Sequence, residues 1–272
     1  MRCFIASVLF LFPLFVSANI TGSGDKQSLS ATEIINKHLA AIGGQETLGK
    51  LKSRMAIGTV KKENEPVAPM AIASEPNRLS ALYRFQEFDW RFIYDGKKAD
   101  NRPMLPRQLS VVRDKYLEMT ASGLMFNDIS LFNILSEVGT DNVQFVAKGL
   151  KKLAGRSTYV VEAKRTNSKP MRLYFDAETF MWVRTDYGTV DIRKPQTNSG
   201  NLNDVVNRSE DDVAVDFYIE TSDFRIVDGV KLPFQFEQVA TAPILRQKMV
   251  GTITGSIKEY LHNLSIDPKS YQ

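Results

Sequence analysis

From residue 54 onward, apolar and polar positions alternate with a period of two along most of the chain. The stretch 170–187 shows the pattern most fully. Met171, Leu173 and Phe175 alternate with Arg172 and Tyr174, the run Asp-Ala-Glu-Thr at 176–179 supplies a turn, and an apolar and aromatic run resumes at Phe180. That is the grammar of an antiparallel hairpin. Asp95-Gly96 and Asp228-Gly229 repeat the punctuation. A two-residue type I′ turn favours Asp-Gly because it needs positive φ at both positions. The alternation predicts strands over 54–62, 68–74, 78–86, 89–94, 97–101, 143–150, 157–165, 171–175, 180–192 and 213–220. Two more cross the turn at 228–229, and a last one runs over 247–260. On the strand 89–94, Trp90, Phe92 and Tyr94 share a face.

Two regions keep a helical period instead. Ser30-Ala31-Thr32-Glu33 is a capping-box pattern, Ile34, Ile35, Leu39 and Ile42 form one stripe, and Gly43-Gly44 ends it, with a short turn at 45–51 behind. In the middle, 106–119 carries Leu109, Val112, Tyr116 and Met119 at helical spacing. The segment 126–138 carries Ile129, Phe132, Leu135 and Val138 likewise, with Asn127 or Asp128 as a cap and Gly139 as a stop. These helices stand between hairpins and do not alternate with strands. The expected fold class is mainly β (α+β), an antiparallel sheet with helices laid over one side. The segment 194–212 is polar and reads as a long surface loop within one domain spanning 30–272.

The first residues differ from the rest. Arg2 precedes an almost wholly apolar run, 3–16, and Val16-Ser17-Ala18 permits cleavage. This reads as a signal peptide over 1–18, followed by a flexible leader at 19–29. The run is shorter than the roughly twenty residues that span a bilayer. Cys3 is the only cysteine and would leave with the signal, so the mature chain could form no disulfide. A lipid anchor would need a cysteine where Asn19 stands. A periplasmic protein without a lipid anchor is the expected product. The net charge of +4 is spread along the chain, with Lys61-Lys62 and Lys151-Lys152 as the densest pairs. It offers no concentrated stripe for nucleic acid.

Catalytic signatures do not emerge. His38 and His262 lie at opposite ends of the chain outside any recognisable motif, and no phosphate-binding glycine loop occurs. His38 reads as a packed or partly exposed helix residue. Glu210-Asp211-Asp212 lacks the alternating ligands of a calcium loop. Asp176 and Glu178 could pose as a carboxylate pair, but aspartate bonding its own turn backbone accounts for Asp176. Asn19, Asn207 and Asn263 stand in Asn-x-Ser/Thr patterns, which carry no weight if the source is bacterial. No enzyme activity, metal or cofactor is expected. What is unusual is a surplus of aromatic faces, including Phe180, Phe234 and Phe236 beside the residues named above.

Three segments together resemble a known family. They are ATEIINKHLAAIGGQETLGKLK at 31–52, the strings YVVEA, LYFDAET and WVR between 155 and 184, and FRIVDGVKLPF at 224–234. Their order and character resemble the LolA/LolB-like superfamily of periplasmic lipoprotein and lipid carriers. Thr179-Phe180 stands where that pattern usually has Thr-Gly. The resemblance implies an unclosed antiparallel β-barrel wrapped around lid helices. It further implies an exported carrier or sensor for a lipid, a lipoprotein's acyl chains or another apolar ligand. The expected walls are Trp90, Phe92, Tyr94, Leu173, Phe175, Trp182 and Phe217, and the expected lid residues are Ile129, Phe132 and Leu135. At about 0.8 kcal/mol per methylene, an acyl chain of about fourteen carbons could gain on the order of 10 kcal/mol. The alternatives are a ligand-free interaction module in an envelope assembly and, behind it, an exported hydrolase.

Overall fold

The computed structural model describes residues 29–63, 65–86, 89–102, 129–166, 169–192, 213–244 and 247–271. The expected signal and leader, the helix over 106–119 and the loop over 194–212 lie outside the described residues.

Helix α1, Ala31–Ala41, begins for a local reason. Ser30 is extended, its Oγ accepts from the Glu33 N–H, and the Glu33 carboxylate accepts from the Ser30 N–H at 2.8 Å. The capping box thus satisfies donors that the first turn would leave orphaned. Gly43, at φ 132°, ends the helix, and α2 (Gly44–Gly49) follows. A Cβ on Gly43 would sit 2.6 Å from the Gly229 carbonyl oxygen, so only glycine lets the helix end approach that hairpin so closely. The Lys231 N–H donates to the Ile42 carbonyl at 2.9 Å and closes the joint.

Twelve strands form one antiparallel sheet: β1 Arg54–Lys62, β2 Ala68–Glu75, β3 Arg78–Arg84, β4 Asp89–Tyr94, β5 Ala99–Arg102, β6 Val143–Leu153, β7 Arg156–Arg165, β8 Met171–Asp176, β9 Trp182–Ile192, β10 Val213–Val227, β11 Val230–Ile244 and β12 Gln247–His262. The order is β5-β4-β3-β2-β1-β12-β11-β10-β9-β8-β7-β6. Chain neighbours pair throughout except β5 with β6, and β1 pairs with β12 and so joins two meanders. Among the described residues no ladder joins the end strands β5 and β6. The barrel is therefore unclosed, as the sequence leads one to expect. The sheet nevertheless curls. Trp90 of β4 lines the same recess as Tyr187 of β9 and Phe217 of β10, although β3, β2, β1, β12 and β11 stand between them in the order. Ile34 and Ile35 of α1 are fully buried against the concave face. A second, small cluster of Ala73, Ile93, Ile266 and Tyr271 packs the C-terminal 3-10 turn, Pro268–Tyr271, elsewhere.

Three local expectations need correction. The Asp95-Gly96 hairpin does not close as a two-residue turn: Tyr94 pairs with Ala99, leaving four residues in the loop. The Asp95 carboxylate accepts from the Lys97 and Lys98 N–H groups and stabilises this longer loop. Asp228-Gly229 does form the two-residue turn, at φ 51° and 79° between the paired Val227 and Val230. Within 126–138, the described part is not a continuous α-helix. Ile134–Glu137 forms a separate 3-10 turn, because the Asn133 side chain caps the Leu135 N–H and restarts the chain there. Finally, β9 begins at Trp182 and not at Phe180, whose φ of 56° belongs to the turn.

Candidate functional site

The concave face gathers the residues expected as walls. Leu173, Phe175 and Trp182 are fully buried, Phe92 and Phe217 are buried, and Trp90 and Tyr94 pack on the same cluster partly exposed. Strand register places them there. Phe175 pairs with Trp182 and Leu173 with Thr185, and a one-residue bulge at Val183 keeps Trp182 facing inward while Arg184 faces outward beside Tyr174. The expected lid residues Ile129, Phe132 and Leu135 bury their side chains in that cluster too. Phe132 stacks on Tyr94, with centroids 4.6 Å apart and planes 15° from parallel. The segment is anchored by the Leu131 N–H donating to Ser74 Oγ at 2.9 Å and by an ion pair between Glu137 and Arg165.

Two apolar recesses open on this side. One, about 270 Å³, lies between the α1–α2 corner and residues 130–136, lined mainly by Leu39, Ile42, Leu48, Leu51, Leu131 and Leu135, with His38 and Arg54 as polar neighbours. The other, about 170 Å³, is lined by Trp90, Tyr187, Phe217, Ile219, Val239 and Ile253, with Gln238 in its wall and Lys62 at its edge. The expected wall residues Trp90 and Phe217 line the second recess, and the expected lid residue Leu135 lines the first. Phe92, Leu173, Phe175 and Trp182 fill the cluster behind them. Gln238, Lys62, Tyr187 and Ile253 were not foreseen. The period-two signal was present for Gln238, since Phe234, Phe236, Gln238 and Ala240 share one face of β11, but a lone glutamine among apolar positions gives no chemistry by itself. A larger groove of about 700 Å³ has a mixed lining, with Lys61, Arg156, Asp176, Glu220 and Glu237 beside Val67, Leu153, Val183, Phe224 and Phe236. Hydrocarbon laid there would desolvate those charges.

The histidines are structural. His38 is fully buried, more deeply than the sequence suggests. Its Nδ1 donates to the Phe180 carbonyl oxygen at 2.9 Å, and its ring packs 5.3 Å from Phe175 and edge-on to Trp182. His262 donates from Nδ1 to Asp228 Oδ2 at 2.9 Å and accepts at Nε2 from Arg54 Nε at 3.2 Å. Burial holds its pKa below the ordinary value; Asp228 opposes that shift and Arg54 adds to it. The imidazole is therefore neutral, and Asp228 receives a hydrogen bond from it without an ion pair. Asp176 behaves as the turn former expected. Partial burial disfavours its charge, but the Thr179 and Glu178 N–H groups and the Thr179 hydroxyl donate to it and hold it below the usual carboxylate range. Among the described residues no group of three or more His, Cys, Asp or Glu could hold a metal ion.

The outer face beside the recess is held by a charged lattice. The Arg184 guanidinium lies 3.7 Å from the Tyr218 ring centroid and 5.8 Å from that of Tyr174. It pairs with Asp186 at 2.6 Å and Glu220 at 3.0 Å. Burial works against its charge, and the two carboxylates raise its pKa in spite of that. This pins β8, β9 and β10 together from outside and leaves their inner face to the aromatic residues.

Among the described residues no helix is long and apolar enough to cross a membrane. No family model matches the chain, and no curated protein matches it. Solved structures do align with it. A LolA superfamily protein from Nitrosomonas europaea aligns at 9% identity and a TM-score of 0.49, over 90% of this chain and 98% of that one. A candidate outer membrane lipoprotein-sorting protein domain from Vibrio parahaemolyticus aligns at 10% identity and 0.47, over 89% and 95%. A DUF1329 family protein from Desulfovibrio piger aligns at 9% and 0.45, over 89% and 97%. The unclosed antiparallel sheet curled round an N-terminal helix, seen directly in this chain, agrees with the unclosed barrel that the sequence resemblance implies.

Proposed function

We propose that this chain is an exported, periplasmic binding protein that holds an apolar ligand, a lipid or a lipoprotein's acyl chain, on the concave face of its half-open barrel, as carrier or sensor. The observation that carries the reading is the pair of apolar recesses beside the aromatic cluster, one of them bounded by the lid segment at 130–136. A hydrocarbon chain needs burial more than polar recognition, and among the described residues no ladder closes the sheet between β5 and β6. The histidines are committed to structural bonds, so we read a binding protein and not a hydrolase. Native mass spectrometry of the chain purified gently from an exporting host tests this. Copurified lipid, or saturable uptake of a fluorescent fatty acid, is expected; neither occurring in repeated preparations overturns the reading.

One observation favours a second reading. Tyr83, Tyr187, Phe92, Phe175 and Trp182 fill much of the concave face completely, and each recess is smaller than the roughly 300 Å³ at which ligand pockets usually start. A ligand-free scaffold that docks an envelope partner would look like this. The same experiment separates the two.

A further inference from the structure

The recess beneath Trp90 contains one polar group that its surroundings do not satisfy. Gln238 sits on the inward face of β11, paired across to Ile219 on β10 and to Ile253 on β12. Its Nε2 is buried and has no hydrogen-bond partner. The recess around it, about 170 Å³, is walled by Trp90, Tyr187, Phe217 and Val239. An amide N–H₂ left bare in such a place is costly, and an apolar replacement would fit the wall better. Lys62, on the adjoining strand β1 and opposite Ile253, stands at the edge of the same recess. Its ammonium is partly exposed and pairs with Glu65 at 2.6 Å. An apolar berth thus carries one buried donor in its wall and one cation at its rim.

We propose that this recess takes the carbonyl end of an acyl group: Gln238 Nε2 donates to the carbonyl oxygen, the first methylenes lie against Trp90 and Phe217, and Lys62 adds attraction when the head is a free carboxylate. The inference rests on the apolar-ligand reading above and specifies its polar end. A recess of this size suits the head and a few carbons, since an apolar cavity of about 150 Å³ takes a benzene-sized guest. The remaining chain continues across the concave face. A carboxylate and an ester share the carbonyl, and Lys62 separates them.

The test uses the full chain and the fluorescent apolar probe 1-N-phenylnaphthylamine, displaced by oleate, methyl oleate and 1-octadecene. Methyl oleate is expected to compete about tenfold better than the alkene, the worth of one buried hydrogen bond, and oleate several-fold better still. Gln238→Leu should erase the difference between methyl oleate and the alkene, leave oleate only the several-fold advantage that Lys62 supplies, and raise Tm, because it removes an unsatisfied amide. Lys62→Met should weaken oleate several-fold and leave methyl oleate unchanged. If all three compounds displace the probe equally, and Gln238→Leu changes neither their order nor Tm, the carbonyl site is overturned while the apolar-ligand reading stands. If the probe does not bind saturably at all, both fall.

Discussion

His38 Nδ1 donates to the carbonyl oxygen of Phe180 across 142 residues of sequence, at 2.9 Å. Phe180 is the residue that stands where glycine is usual, and it adopts the left-handed conformation that glycine would, at φ 56°. Its ring stacks on Tyr159, with centroids 5.6 Å apart and planes 10° from parallel, and the Lys37 ammonium lies 5.2 Å above it. Helix α1 therefore docks on a strained turn of the β8–β9 hairpin, and the same imidazole packs on Phe175 and Trp182. Replacing His38 with Ala removes a buried hydrogen bond and leaves a gap between helix and sheet. A loss of about 2–4 kcal/mol is expected in denaturant unfolding. A loss under about 0.5 kcal/mol would mean that the helix is held by Ile34 and Ile35 alone.

The strain at Phe180 is separable from its packing. Phe180→Ala and Phe180→Gly both lose the stack on Tyr159, but only glycine relieves the backbone. Gly should be more stable than Ala by about 1 kcal/mol, read as the difference between the two unfolding midpoints. Equal stabilities would show that the turn relaxes on losing the ring.

Stability should fall on the acid side through His262. Its folded pKa lies below its unfolded value of roughly 6.5, with burial as the main cause. The unfolded chain therefore takes up the proton first as pH drops. The contribution of this site is constant above about pH 6.5, falls between that pH and the lower folded pKa, and levels off beneath it. His262→Gln should flatten that limb of a stability–pH curve. A wild-type curve that rises from pH 7 to 5, with the variant unchanged, would contradict the assignment.

The seam that closes the two meanders depends on glycine. A Cβ on Gly58 would collide with the Ser256 carbonyl oxygen, a backbone atom that cannot step aside. Gly58 lies at the bulge where β1 shifts register against β12. Gly58→Ala should cost about 1–3 kcal/mol. Gly251→Ala, with nothing within 4 Å of its added Cβ, should be close to neutral. Thermal unfolding of the two variants side by side checks the contrast.

Most of this architecture is legible from the residues because the strands are half-buried and punctuated. Period two alone puts Trp90 with Phe92, and Leu173 with Phe175, on one face of their own strands but leaves open which face points inward; the Ser30–Glu33 cap follows from local chemistry. What the pattern misreads is local competition. Asp95 satisfies two backbone donors and so prefers a longer loop to the type I′ turn that Asp-Gly suggests. The helical spacing of Ile129, Phe132 and Leu135 reports their burial and not a helix, since Asn133 interrupts the backbone between them. The recess itself was hidden, because it is made by the curl that brings β4 against β9 and β10, and curvature leaves no trace in alternation. Gln238 was invisible as a site for the same reason.

Ala240 and Gly251 pair on adjoining strands in the wall of the Trp90 recess, so a bulky side chain at 240 fills that recess from within. Equilibrium titration of a fluorescent fatty acid into the wild-type chain and into Ala240→Phe tests ligand binding on the concave face most directly. Saturable binding to the wild type, weakened at least about tenfold in the variant at unchanged Tm, is the predicted result. Saturable binding of equal strength in both, or none in either, would contradict it.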